Sequence, residues 1–208
     1  MVGAVAGALA GTAGWLVSLV APHPLAAAAA FGAALAVTGA IHLDGFLDCS
    51  DALFASVSVE RRLEILKDPG HGTFALAGLA VLTAVWLGAL VSIPALAYPW
   101  ILAFAGAAAR LGAVLNAYVI PYGRSGSSVR AFERRPNAGI LAVGLLVALV
   151  CAWNRPLLGI VLAGAIALAL LLGRAAAARL GGALVGDAYG AIVTIVEAGI
   201  LAVAAALS

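Results

Sequence analysis

Asp44, Asp48 and Asp51 stand within eight positions of one another in the stretch "AIHLDGFLDCSDALF", directly after a long apolar run. On a helix they take positions i, i+4 and i+7, a stripe roughly 60° wide at about 100° per residue. Like charges stacked this way repel one another, Asp is a poor helix-interior residue, and no Lys or Arg stands at i+4 to offset them. A divalent cation removes the repulsion, and oxygen ligands at this density suit Mg²⁺ or Mn²⁺ better than zinc. The alternative is a solvated acidic face. Gly45, beside the first Asp, leaves room for a phosphate or a second backbone. His42 points away from the stripe on an intact helix, which makes it an interfacial or packing histidine.

The segment "SVSVERRLEILKDPGHGTF" follows. Val59, Leu63 and Leu66 repeat at i, i+4 and i+7 and predict a short amphipathic helix on a membrane surface. Glu60, Arg61, Arg62 and Glu64 fall on its wet side and carry no assigned chemistry. Pro69, Gly70 and Gly72 break the helix. Lys67 and Asp68, at the break, can face the aspartate stripe, where a Lys would serve a phosphate as a point charge.

The elements that must position these residues are set by composition. Apolar residues make up 65% of the 208, charged residues 10%, and the mean hydropathy is +1.16. A soluble core of this size cannot hide so much apolar surface, so an all-α, polytopic membrane helix bundle is expected, a single integral membrane domain over 1–208. Candidate spans are 3–21, 25–41, 73–93, 97–119, 138–153, 157–173 and 188–207. That is about seven, or six if the Asn154-Arg155-Pro156 break does not separate two of them. The first has no Lys or Arg ahead of its apolar run and reads as a spanning helix, not a signal peptide. The small residues of "GAVAGALAG" suit close helix packing. Cys49 and Cys151 read as unpaired.

Loops 42–72, 120–137 and 174–187 carry Arg61, Arg62, Lys67, Arg124, Arg130, Arg134, Arg135, Arg174 and Arg179, while the opposite side carries only Arg155. This asymmetry predicts a cytoplasmic N-terminus and three cytoplasmic loops. A net charge of +2 gives no argument for nucleic acid. Polar groups stacked at one surface suit an enzyme better than a transporter, which spreads ionisable residues through the midplane. Only Arg110 and Glu197 lie inside spans. An intramembrane Arg needs a partner, and an Asp or a substrate phosphate would serve.

"HLDGFLDCSDALF" followed by "RRLEILKDPGHGTF" resembles the cobalamin synthase family, the adenosylcobinamide-GDP ribazoletransferases. "ARLGAVLNAYVIPYGRSGS" is similar to that family's Arg-containing span and the turn after it, and "RLGGALVGDAYGAIVTIVEAG" to its C-terminal segment. The resemblance runs in order from about residue 35 to 200. It departs in places. The family's extra N-terminal segment with an Arg-Leu-Pro-like motif precedes the point where this chain starts. Val185 replaces Thr, Thr194 replaces the first of two Glu while Glu197 matches the second, and His71-Gly72 replaces Ile-Gly.

The resemblance implies a Mg²⁺-dependent phosphotransferase of the last steps of cobalamin biosynthesis, in a prokaryotic inner membrane with its site toward the cytoplasm. It joins adenosylcobinamide-GDP to α-ribazole or its 5′-phosphate and releases GMP. Membrane lipid, a second copy or other corrinoid enzymes are the further partners expected. Asp44, Asp48 and Asp51 are then the metal and catalytic set, with Asp51 the alternative acceptor of the ribazole hydroxyl proton. Lys67, Arg110, Arg124 and Asp187 are the substrate-side candidates. Arg124 lies in a Gly/Ser loop able to wrap a phosphate, and Asp187 is a fourth carboxylate from another helix. Arg134, Arg135 and Arg174 read as topology anchors. Three rivals predict other features: a CDP-alcohol phosphotransferase needs Ala-Arg after Asp44-Gly45, a prenyltransferase needs a second Asp-rich cluster, and a cation transporter or channel would use the stripe as a selectivity ring.

Overall fold

Pro22 and Pro24 bracket the start of a helix over His23–Thr38, where their fixed backbone angle favours the first turn. This helix, α2, follows α1 (Val2–Ser18). It ends at two consecutive left-handed residues, Gly39 at φ 61° and Ala40 at φ 56°. Glycine adopts that region freely, whereas Ala40 does so at a cost of roughly 1–2 kcal/mol. The chain turns 92° there into α3 (Ile41–Phe54). The helix expected to continue from 25–41 into the aspartates therefore stops at the corner, and the stripe lies on a helix of its own.

The computed structural model describes residues 1–123 and 156–208, together with 139, 142, 144–146 and 149–150. After α3 come α4 (Val59–Ile65), α5 (Thr73–Ser92), a 3₁₀ turn (Ala95–Ala97), α6 (Tyr98–Val119), α7 (Pro156–Arg179) and α8 (Gly186–Ala206). Among the described residues there is no strand, only an isolated bridge between Tyr122 and Leu184. Among the described residues, four helices are long and apolar enough to cross a membrane: α5, α6 with its leading turn, α7 and α8. A fifth is counted if α2 and α3 form one broken span, while α1 is apolar but 17 residues long. The span expected over 138–153 falls largely outside the described residues, and Cys151 and Arg155 lie wholly outside them.

The apolar run of α6 is buried almost without interruption from Leu102 to Ala109, because α1, α7 and α8 pack around it. Its contact with α1 is made of backbone. Gly3, Gly7 and Gly11, four residues apart, face Gly106, Leu102 and Tyr98, and a Cβ on any of the three would run into the opposing carbonyl. This is close packing of small residues, the usual source of attraction between helices in lipid. The outward faces remain apolar: Leu76, Val81, Ile160 and Leu171 are all more than 60% exposed. A patch of that extent suits lipid contact.

Described parts of all three polar loops meet at one end of the bundle. Arg179, at the end of α7, donates to the Leu53 carbonyl at 2.8 Å. The Gly123 amide donates to Leu184 O at 2.8 Å, and the Leu184 amide to Pro121 O at 2.9 Å.

Candidate functional site

The three aspartates share α3, but their surroundings divide them. Asp51 faces the start of α5, whose cap residue, Gly72, has no side chain to satisfy the first amides. Its Oδ2 accepts from the Gly72 amide at 2.5 Å and its Oδ1 from the Ala75 amide at 3.0 Å. Asp51 thus caps α5 from another helix, supplying the acceptors that a helix N-terminus lacks. That contact folds the 66–72 loop over the stripe and brings His71 Nδ1 to 3.6 Å from Asp48 Oδ1. Asp44, Asp48 and His71 then offer donor atoms all within 4.8 Å of one another, with Asp44 and His71 exposed and Asp48 half-buried. The carboxylates stand level with the N-termini of α5 and α8, at one end of the bundle.

Gly45 admits a second backbone. A Cβ there would lie 2.6 Å from the Asp187 carbonyl oxygen and 3.0 Å from its Cα, so the first turn of α8 sits directly on α3. Asp187 joins the charges around Asp48 as a result. The Asp48 carboxyl is pushed up to about 6, first by burial and then by Asp44 and Asp187, with His71 acting the other way. A carboxyl crowded by its own kind keeps its proton to higher pH than a free one, and a bound cation relieves the crowding. Asp44 and Asp48, one turn apart, fit Mg²⁺ or Mn²⁺, which take one or two carboxylates and leave positions for phosphate oxygens, and the Asp187 charge adds to the demand for a cation. Cys49, buried on the same helix, has its thiol pushed up by burial and offers no thiolate.

Lys67 and Arg110 are not among the donors of this cluster. Lys67 is exposed on the loop that carries His71 and is not among the charges that act on Asp48. Arg110 Nη1 donates to Glu197 Oε1 at 2.7 Å and to Gly106 O at 3.2 Å. Arg110 and Glu197, the two ionisable residues the sequence places inside spans, are therefore each other's partner, which answers the cost of an intramembrane Arg without an Asp of the stripe. Thr194 Oγ1 donates to the His42 carbonyl at 3.0 Å and stitches α8 to the start of α3. Arg124, Arg130, Arg134 and Arg135 lie outside the described residues.

Two contributions escaped the sequence reading. His71 registered only as a departure from the resemblance, since nothing local links it to Asp48, 23 positions earlier. Arg62 is not on a purely wet face: its Nη1 donates to Ala52 O at 2.6 Å and Leu53 O at 3.0 Å. The available signal was the end of α3, which passes into extended Ala55 without a left-handed cap and leaves its last carbonyls for cations.

Comparison with known proteins bears directly on this arrangement. A model of the family described as cobalamin-5-phosphate synthase matches residues 1–205. A protein named adenosylcobinamide-GDP ribazoletransferase from Deinococcus radiodurans is 36% identical over 182 residues, covering 85% of this chain and 62% of that protein. Proteins of the same name from Chlorobium phaeobacteroides and Desulfitobacterium hafniense are 35% and 34% identical, each over 92% of this chain and 79% of their own length. The chain thus spans less than two thirds of the Deinococcus protein. No solved structure matches significantly. The match takes in the corner, the aspartate helix and the first turn of α8 alike, and the chain belongs to the cobalamin-5-phosphate synthase family.

Proposed function

We propose that the chain is an adenosylcobinamide-GDP ribazoletransferase, acting from the cytoplasmic face of a prokaryotic inner membrane through a bundle of about seven spans with its N-terminus inside. The observation that carries the proposal is the convergence of Asp44, Asp48, Asp187 and His71 at one end of a bundle whose polar loops meet there. Relatives named for this activity cover most of the chain. The excess of Arg and Lys in those loops supports the orientation.

The reaction is a substitution at phosphorus. A ribazole hydroxyl forms a bond to the cobinamide-side phosphorus, the bond from that phosphorus to the bridging oxygen breaks, and GMP leaves with the electron pair. A divalent cation, Mg²⁺ or Mn²⁺, held by Asp44 and Asp48 with Asp187 beside them, would supply charge neutralisation at the diphosphate. His71, exposed and 3.6 Å from Asp48, takes the hydroxyl proton on its outward ring nitrogen. Asp51 holds the loop that delivers His71, because both its oxygens are engaged by the Gly72 and Ala75 amides. The 92° corner and Gly45 fix α3 against α8, so the carboxylates are set before substrate arrives.

The test uses purified protein in detergent with adenosylcobinamide-GDP, α-ribazole 5′-phosphate and Mg²⁺, and reads GMP. Release that stops with EDTA and returns with Mg²⁺ or Mn²⁺ is expected. Full activity in Asp48→Ala would overturn the metal assignment, and an inactive wild type would overturn the activity.

A further inference from the structure

Two arginines from different helices converge on one oxygen at the C-terminal end of α3. Arg62 Nη1, from α4, lies 3.0 Å from the Leu53 carbonyl, and Arg179 Nη1, from α7, lies 2.8 Å from the same atom. A helix C-terminus attracts a cation, and one guanidinium satisfies that demand. A second on the same carbonyl places two positive charges side by side. Among the described residues neither forms an ion pair. The acids of α4 are engaged elsewhere: Glu64 with Arg61 at 2.7 Å, and Glu60 with its own amide and Ser58. Among the described residues, Arg62 donates through Nη1 to Ala52 O and Leu53 O, and Arg179 through Nη1 to Leu53 O. Each guanidinium keeps further N–H donors of the kind that pair with phosphate oxygens.

We propose that Arg62 and Arg179 form a phosphate subsite at the end of α3, and that its ligand is the 5′-phosphate of the ribazole substrate. The proposal rests on the transferase reading above. A phosphate monoester carries close to two negative charges at neutral pH, which matches two guanidiniums. The subsite stands five residues beyond Asp48, about 7.5 Å along the helix, so one nucleotide can reach both places. Asp44 and Asp48 on α3 call for a cation, and two guanidiniums at its end call for an anion.

The experiment compares α-ribazole with α-ribazole 5′-phosphate as acceptors in wild type, Arg62→Gln and Arg179→Gln. The ratio of kcat/KM for the phosphorylated over the unphosphorylated acceptor is expected to fall on the order of 10- to 100-fold in each variant. Arg62→Lys and Arg179→Lys keep the charge and should recover part of it, which separates phosphate binding from helix capping. Ribose 5-phosphate, read by thermal shift, gives an arm independent of turnover. It should stabilise wild type and not the Gln variants, so an inactive enzyme that still binds it would sink the transferase reading and leave the subsite standing. A lipid phosphate would instead appear as phosphatidylglycerol retained by wild type in native mass spectrometry and lost from the variants, with the acceptor ratio unmoved. An unmoved ratio together with unmoved ribose 5-phosphate and lipid binding overturns the subsite.

Discussion

Gly45→Ala is the most direct test of how the site is assembled. The added Cβ would stand 2.6 Å from the Asp187 carbonyl oxygen, where ordinary contact begins at 3.4 Å. The opposing atoms are backbone, so the first turn of α8 must back away by about 0.8 Å instead of one side chain rotating. Overpacking of this kind costs about 1–3 kcal/mol, against roughly 0.5–1 kcal/mol gained from replacing a helical Gly. The net loss in stability is therefore modest. Activity should fall much further, since a displacement near 1 Å at a catalytic constellation costs on the order of 100-fold. The assay is GMP release as a function of Mg²⁺ in detergent, with a thermal unfolding curve on the same preparation. Gly32→Ala is the control: open space surrounds that position, so it carries the propensity gain alone. A Gly45→Ala enzyme with wild-type kcat and wild-type Mg²⁺ dependence would refute the claim that the seat of α8 on α3 sets the carboxylates.

Other perturbations have equally definite outcomes. The folded chain binds the Asp48 proton more tightly than the unfolded chain, so metal-free protein should lose stability as pH rises from 3.8 to about 6. Mg²⁺ affinity should rise over the same window and level off above it, and Asp48→Asn should flatten both trends in calorimetry and thermal melts. Asp51→Ala removes both acceptors from the start of α5 and should cost about 0.5–2 kcal/mol. Hydrogen exchange at the Gly72 and Ala75 amides should quicken and kcat should fall, whereas unchanged exchange would discount the capping role. Glu197→Gln leaves the Arg110 charge without a counter-ion and should cost about 3–5 kcal/mol. Replacing both residues with Met and Leu should recover most of that, and an equally unstable double variant would show that the pair matters for more than charge balance.

The helical architecture was legible because hydrophobicity dominates this composition, and the aspartate stripe because spacing on a helix is simple geometry. The corner was not. "AVTGAIHLDG" reads as an unbroken helix, and nothing local announces that Ala40, a residue with a Cβ, will adopt a left-handed backbone. That geometry is fixed by how α3 packs on α8, a contact between segments far apart in the chain. Arg110 and Glu197 were both visible as the charges inside spans, and pairing them needed only the premise that buried charges seek each other. His71 had no such cue. It reaches Asp48 because Asp51 holds the loop, a long-range hydrogen bond that no periodicity encodes.

The glycine seam between α1 and α6 has a consequence for how this chain can vary. Where Gly3, Gly7 and Gly11 press on opposing backbone, the neighbour presents the same carbonyl surface whatever its side chains are. Adjusting α6 residues therefore cannot open space for a larger residue on α1, and compensating pairs of substitutions are closed to this interface. Val5 and Leu9, more than half exposed on the outer face, answer only to the solvent around them and can drift among apolar residues. A complete substitution map of α1 should thus show a period of four on the face toward α6, with Gly3, Gly7 and Gly11 admitting no side chain, against tolerant positions such as Val5 and Leu9 on the outer face.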